Sequence, residues 1–336
     1  MSMSDKALCG KACRSCGYFK LCGGCKTVNC LILRCMNGEK FESLTFPHEI
    51  CIYSDFCLRS STYKNFSKVL LKQASSSLNV KKFSIPTKFL PVISLNDKRS
   101  WFWPFLKHEI VVVKLLDLIR DRKLRNNIMR IGIHNYLGFD GKVIISTIMP
   151  DEILNNLQVG NFIKIIKAIK PDAVMSLDTY TYIDDPLIIS WKQTIRAVKN
   201  VTFLLEKRGI PIFGIVKGAN YQQVKWCLEK YNEIGINKVV IPCREIISHK
   251  CHDALPLIMS MAKNYKFDVI LYGGPLRLLT SLFKADFYAN FEWFLISIKG
   301  AVYKDNIVFL EQNEIKDLSS IVSHNLKSAI KMTEEA

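Results

Sequence analysis

Nine of the chain's twelve cysteines, Cys9, Cys13, Cys16, Cys22, Cys25, Cys30, Cys35, Cys51 and Cys57, lie in the first 57 of its 336 residues. Cys13-Arg14-Ser15-Cys16 and Cys22-Gly23-Gly24-Cys25 form two CxxC knuckles, and Cys9, Cys30 and Cys35 flank them at separations of three and four intervening residues. Thiolates so spaced can converge on one ion, and in a reducing compartment such density favours a metal over disulfides. A segment this short cannot stabilise itself by apolar burial alone, so a metal staple is expected. Residues 1–58 therefore read as a separate module holding zinc in four-cysteine sites or, alternatively, an iron-sulfur cluster with cysteines left over. Cys227, Cys243 and Cys251 are scattered. Cys227 belongs to the apolar stripe Val224, Cys227, Leu228, Tyr231 and reads as a core residue.

Other chemically capable residues follow short apolar runs. Asp178 comes after Leu177, Lys217 and Gly218 after Val216, and Gly273 and Gly274 after Tyr272. A carboxylate there can accept hydrogen bonds from a base or sugar, or cap a helix. A glycine pair permits close approach of a ligand, or a tight turn. Arg120, Arg122, Lys123, Arg125 and Arg130 form a basic stretch suited to phosphate contacts or to a solvated helix face. Trp101, Trp103 and Phe105 around Pro104 offer either a stacking surface for bases or an apolar dimer contact. His134 is expected to be half-buried and satisfied, and Asp140 to be structural, in an Asx-type turn.

These positions need a scaffold. Residues 59–80 are polar and Ser-rich, as a linker should be. From about Lys81, apolar runs alternate with helical patterns. Strands are expected at Ile110–Val113, Arg130–Ile133, Val143–Ile145, Ala173–Leu177, Ile212–Val216, Lys238–Ile241, Val269–Tyr272 and Asn306–Phe309. Helical spacing of Trp191, Ile195, Val198, Val201 and Leu205 ends at Gly209. Runs without polar alternation suit a parallel sheet covered on both faces. The expected fold is thus α/β, a (β/α)8 barrel over residues 81–310 with an N-terminal Cys-rich module and a helical tail over 311–336; an open doubly wound sheet is the competitor.

With 49% hydrophobic residues the chain is not a disordered polymer, and 47 Lys+Arg against 30 Asp+Glu give a formal charge of +17. That excess favours a polyanionic partner, RNA above all. No long uncharged apolar run and no N-terminal apolar signal core occur, so no membrane role is expected and a cytoplasmic location is.

Six segments taken together resemble the tRNA-guanine transglycosylases, in particular the archaeal branch of these queuine and archaeosine tRNA-ribosyltransferases. Ile85-Pro86-Thr87-Lys88-Phe89-Leu90-Pro91-Val92 is similar to the opening "TPxFMPV" strand, and Gly132 to Gly141 to "GLHKFLGFDGP". Val174 to Asp178 resembles the strand ending in the base-recognising aspartate, and Phe213 to Tyr221 resembles "GxVQGGxY". Leu271-Tyr272-Gly273-Gly274 and Ala285-Asp286-Phe287-Tyr288-Ala289 look like "LxGxGxP" and "CDLFD". The order is the family's, over roughly residues 85 to 310.

The resemblance implies exchange of a guanine in tRNA for a 7-deazaguanine, with one aspartate attacking the ribose and a second handling protons. It also puts that reaction in doubt. The nucleophile's position falls on Ala289 and the proton-handling position on Ser146; the base-edge glutamine becomes Lys217, the "GG" becomes Pro242-Cys243, and Asp178 alone persists. The family's zinc site beyond the barrel has no cysteine here, leaving His324 as a helix-surface residue. The implied reading is a transglycosylase-like protein without base exchange that binds tRNA, forms a homodimer, or joins an active transglycosylase subunit as a heterodimer. The alternatives are altered chemistry on a 7-deazaguanine-type base, using Asp178 with Asp286, Asn290, Glu292 or Lys217, and a metal-stapled protein-interaction module.

Overall fold

The computed structural model describes residues 81–181, 187–206, 209–248, 254–304, 306–311 and 317–336. The Cys-rich segment, with Cys9, Cys13, Cys16, Cys22, Cys25, Cys30, Cys35, Cys51 and Cys57, and the 59–80 linker lie outside the described residues.

Eight parallel strands close into a barrel: β1 (Phe89–Ile93), β2 (Ile110–Lys114), β3 (Lys142–Ser146), β4 (Ala173–Met175), β5 (Ile212–Ile215), β6 (Lys238–Pro242), β7 (Asp268–Tyr272) and β8 (Phe287–Asn290). Helices connect the strands, so both faces of the sheet are covered and the strands can be apolar throughout. β2 shows the consequence: Ile110, Val111, Val112 and Val113 are all fully buried, and their branched side chains suit the pleated backbone. Alternate residues fill the interior. Leu90, Val112, Ile144, Met175, Phe213, Ile215, Val240, Ile270 and Ala289 form one cluster, a packed core and not a pore. Closure is made by β1 against β8, with Leu90 opposite Ala289 and Pro91 opposite Asn290.

The barrel is therefore the fold that the alternating pattern implies, and the open sheet is excluded. Two expected strands are not barrel strands. Arg130–Ile133 ends the helix Arg122–Ile131 and turns at Gly132, whose φ of +84° suits glycine. Asn306–Phe309 falls in β10 (Ile307–Phe309), which pairs with β9 (Ala301–Tyr303) as an antiparallel hairpin outside the barrel. β8 takes the eighth place, and the strand expected at Ile85–Val92 is present as β1. The tail carries the helix Leu318–Glu335.

Two compact units divide the described residues. Thr179–Arg196 and Lys217–Cys227 belong to one; the barrel strands, Asp178 and the C-terminal helix belong to the other.

Candidate functional site

Parity along the strands decides what reaches the barrel mouth. Side chains alternate between the interior and the helical layer, so β2 directs Ile110, Val112 and then Lys114 inward, and β3 directs Ile144 and then Ser146. Lys114 and Ser146 are register partners. Across the barrel, Ile270 and then Tyr272 occupy the inward positions of β7, and Tyr272 pairs with Ala289 of β8. The carboxyl end of the barrel thus presents an ammonium, a hydroxyl and a phenol above an apolar floor.

Tyr272 and Ser146 interact directly, and both Tyr272 and Lys114 feel the charge of Asp117. Burial pushes the Tyr272 phenol up to about 12; the Ser146 side chain facing it opposes that rise, and the negative charges of Asp117 and Asp178 add to it. Burial pulls the Lys114 ammonium down to about 8, against the favourable charge of Asp117. Its Nζ sits 3.2 Å from the ring centroid of Phe291, the residue after β8. Asp117 follows β2 by three residues. Its Oδ2 accepts hydrogen bonds from Ser94 Oγ at 2.9 Å and Leu95 N at 2.7 Å, which fastens the ends of β1 and β2 together.

Asp178, 7% exposed, sits three residues past β4 on a strand end that is held from three sides. Thr147 Oγ1 donates to Ser176 O, Ile215 N donates to Ser176 Oγ at 3.0 Å, and Asn200 Nδ2 donates to Leu177 O at 3.1 Å. These bonds fix the backbone that leads into Asp178. Ala289 is fully buried in the barrel core, so no nucleophile stands at that place. Asp286 lies at the other end of β8, where it pairs with Lys263 and accepts from Val269 N at 2.7 Å. It therefore cannot work with Asp178, contrary to the altered-chemistry expectation. Asn290 is locked by donation to Gly274 O at 2.7 Å, and Glu292 accepts from Leu276 N and Tyr303 Oη, both at 2.8 Å.

The glycines are steric requirements. Gly273 and Gly274 adopt φ of +71° and +84° after β7, and Gly273 N donates to Ala289 O at 2.8 Å. A Cβ on Gly218 would meet Val224 N at 2.6 Å, so that position serves the helix Tyr221–Ile234. Lys217 beside it is 9% exposed and stands in the other compact unit from Asp178. Cys243 is buried, with its thiol pushed up to about 12 by burial, which disarms it as a nucleophile. Cys227 is likewise a buried core residue.

Arg120, Arg122, Lys123 and Arg130 are exposed and Arg125 is half-exposed. Four of the five share the helix Arg122–Ile131, where Arg122, Lys123 and Arg130 lie on the side away from buried Ile128 and Arg125 lies nearer to it. Arg130 also borders a groove with Gly132, His134, Asn135 and Lys170. Trp101 and Trp103 stack on each other at 5.3 Å, and Trp103 also packs on Phe139, so their faces are largely used internally. His134 is satisfied by Phe139 O at 3.1 Å and Asp172 at 3.0 Å. His324 is exposed on its helix, with Nε2 3.0 Å from Tyr303 O. Among the described residues no group of three His, Cys, Asp or Glu could hold a metal ion, and no helix is long and apolar enough to cross a membrane.

The class these features define is a (β/α)8 barrel with a polar, amine-bearing mouth. Compared with known proteins, the chain matches no family model and no curated protein.

Proposed function

We propose that this chain is a transglycosylase-like barrel of tRNA modification that does not exchange bases by itself and acts as a tRNA-binding or partner subunit. The observation that carries this reading is Ala289. The position where the resemblance calls for a nucleophilic carboxylate holds a methyl group at 0% exposure, packed among Leu90, Ile270 and other core residues. Ser146, at the proton-handling position, can donate a hydrogen bond but lacks the carboxylate that would take up a proton at neutral pH. Asp178 is retained, which suits recognition of a base edge without cleavage.

In this reading the Cys-rich head is a metal staple, with zinc in thiolate sites or an iron-sulfur cluster; metal content and visible absorbance of anaerobically purified protein discriminate between them. The exposed arginines and lysine of the helix Arg122–Ile131 supply phosphate contacts. The test is an exchange assay with tRNA and labelled guanine or 7-deazaguanine, alongside gel-shift titration of the same tRNA. Expected are tRNA binding without incorporation, and Asp178→Asn weakening capture of the free base. Incorporation by the purified chain alone would overturn the proposal.

A further inference from the structure

Lys114 is the residue at the mouth that the base-exchange resemblance does not use. It closes β2 on the inward side, half-buried, with its Nζ against the face of Phe291. Among the described residues it forms no ion pair. Its register partner is Ser146, and the Ser146 side chain faces the phenol of Tyr272. An amine beside two hydroxyls, at the end of the barrel where ligands enter, is the set of groups that carbonyl condensation needs.

We propose that Lys114 is a nucleophilic amine that forms an imine with an aldehyde or ketone ligand at the mouth of the barrel, with the Tyr272 and Ser146 hydroxyls moving the protons. The neutral amine adds to the carbonyl carbon; a C–N bond forms as the carbonyl π bond opens onto oxygen. The oxygen takes a proton from the hydroxyl pair, which is restored by a proton from nitrogen, giving the carbinolamine. Loss of the C–OH oxygen as water, carrying the second nitrogen proton, leaves C=N. Carbonyl and amine become imine and water, and no oxidant or reductant is consumed.

The energetics agree with the geometry. A pKa of about 8 leaves roughly a tenth of Lys114 neutral at pH 7, where an ordinary lysine is neutral in only about one molecule in a few thousand. A site built to hold an anion would have the opposite sign, since a charged ammonium is what it uses. Burial and the charge of Asp117, one turn beyond β2, set the charge of Lys114, while Ser146, Asp117 and Asp178 act on Tyr272.

The test uses the full chain with substoichiometric glycolaldehyde and sodium cyanoborohydride, which reduces any imine to a stable secondary amine. Peptide mapping by mass spectrometry then reads the adduct at each lysine. At pH 7 the adduct on Lys114 is expected to exceed the mean over the other lysines by about tenfold, the gain in neutral fraction being partly offset by lower basicity. Its labelling midpoint should lie near pH 8, and Tyr272→Phe should slow the labelling several-fold without moving that midpoint. Adducts that follow surface exposure, with Lys114 at or below the mean, would overturn the proposal. So would a midpoint near that of ordinary lysines, or an unchanged rate in Tyr272→Phe. None of these readouts depends on whether the chain binds tRNA or exchanges bases.

Discussion

A lysine drawn down from about 10.5 to about 8 by burial is a statement about stability as well as reactivity. Below about pH 8 Lys114 is protonated in both the folded and unfolded chain, and the full penalty of holding an ammonium in the mouth is present. Between about 8 and about 10.5 the folded state releases its proton before the unfolded state does. The unfolded chain then binds more protons, and stability rises with pH. Tyr272 works in the opposite sense and higher up: its folded value of about 12 lies above the ordinary 10, so its contribution is lost as pH rises beyond 10. The usable window is therefore pH 8 to 10. Lys114→Met, which keeps the stem and removes the charge, should stabilise the chain at pH 7 by up to about 2 kcal/mol. The advantage should shrink toward pH 10. Denaturant unfolding at the two pH values checks this, and an advantage that does not change with pH would show that the ammonium is not penalised where it sits.

At the scale of elements, the hairpin of β9 and β10 depends on one asparagine. Asn325, fully buried on the helix Leu318–Glu335, donates through Nδ2 to Ser297 Oγ and Ala301 O, both at 2.8 Å, and accepts from Tyr303 N at 2.9 Å. It thus ties three separate segments: the helix Glu292–Ile298, β9 and the C-terminal helix. Asn325→Leu fits the volume but strands an N–H and a C=O, and should destabilise the chain by about 3 kcal/mol. A fall in the thermal midpoint without loss of barrel helicity, read by circular dichroism, is the expected signature. The elements also show what a sequence can disclose. The central strands were legible because their apolar runs have no polar face to alternate with. β8 was not, because Phe287-Tyr288-Ala289-Asn290 mixes aromatic and polar residues in four positions, and only the family likeness marked it. Arg130–Ile133 reads as a strand locally, but the helical period of the preceding residues continues through it until Gly132 breaks it. Asp178 was legible as a residue past a strand end. Lys114 was not, since a lysine after Ile-Val-Val-Val resembles a strand reaching solvent; counting parity from Ile110 puts it inside. Asp117 gave no signal, because its partners Ser94 and Leu95 come from another strand end.

Across the whole molecule, a formal charge of +17 makes attraction to any polyanion unavoidable, so binding to RNA carries little information unless its location is known. The helix Arg122–Ile131 offers a way to locate it. Arg122, Lys123 and Arg130 are exposed there, and Arg130 Nη2 is steadied by Asn127 Oδ1 at 3.2 Å beside the groove that includes Lys170. Each phosphate neutralised contributes roughly 0.7 to 0.9 to the slope of log affinity against log salt, through release of condensed counterions. If the helix is the docking face, replacing Arg122, Lys123 and Arg130 together by glutamine should flatten that slope by about 2 to 3 for tRNA. Removing three lysines elsewhere lowers the net charge equally but should leave the slope within about one of its original value. Fluorescence anisotropy over a salt series on both triple variants separates the cases. Equal flattening in the two would mean that the charge acts as a diffuse cloud around the molecule, and that the barrel's basic helix is a solvated face.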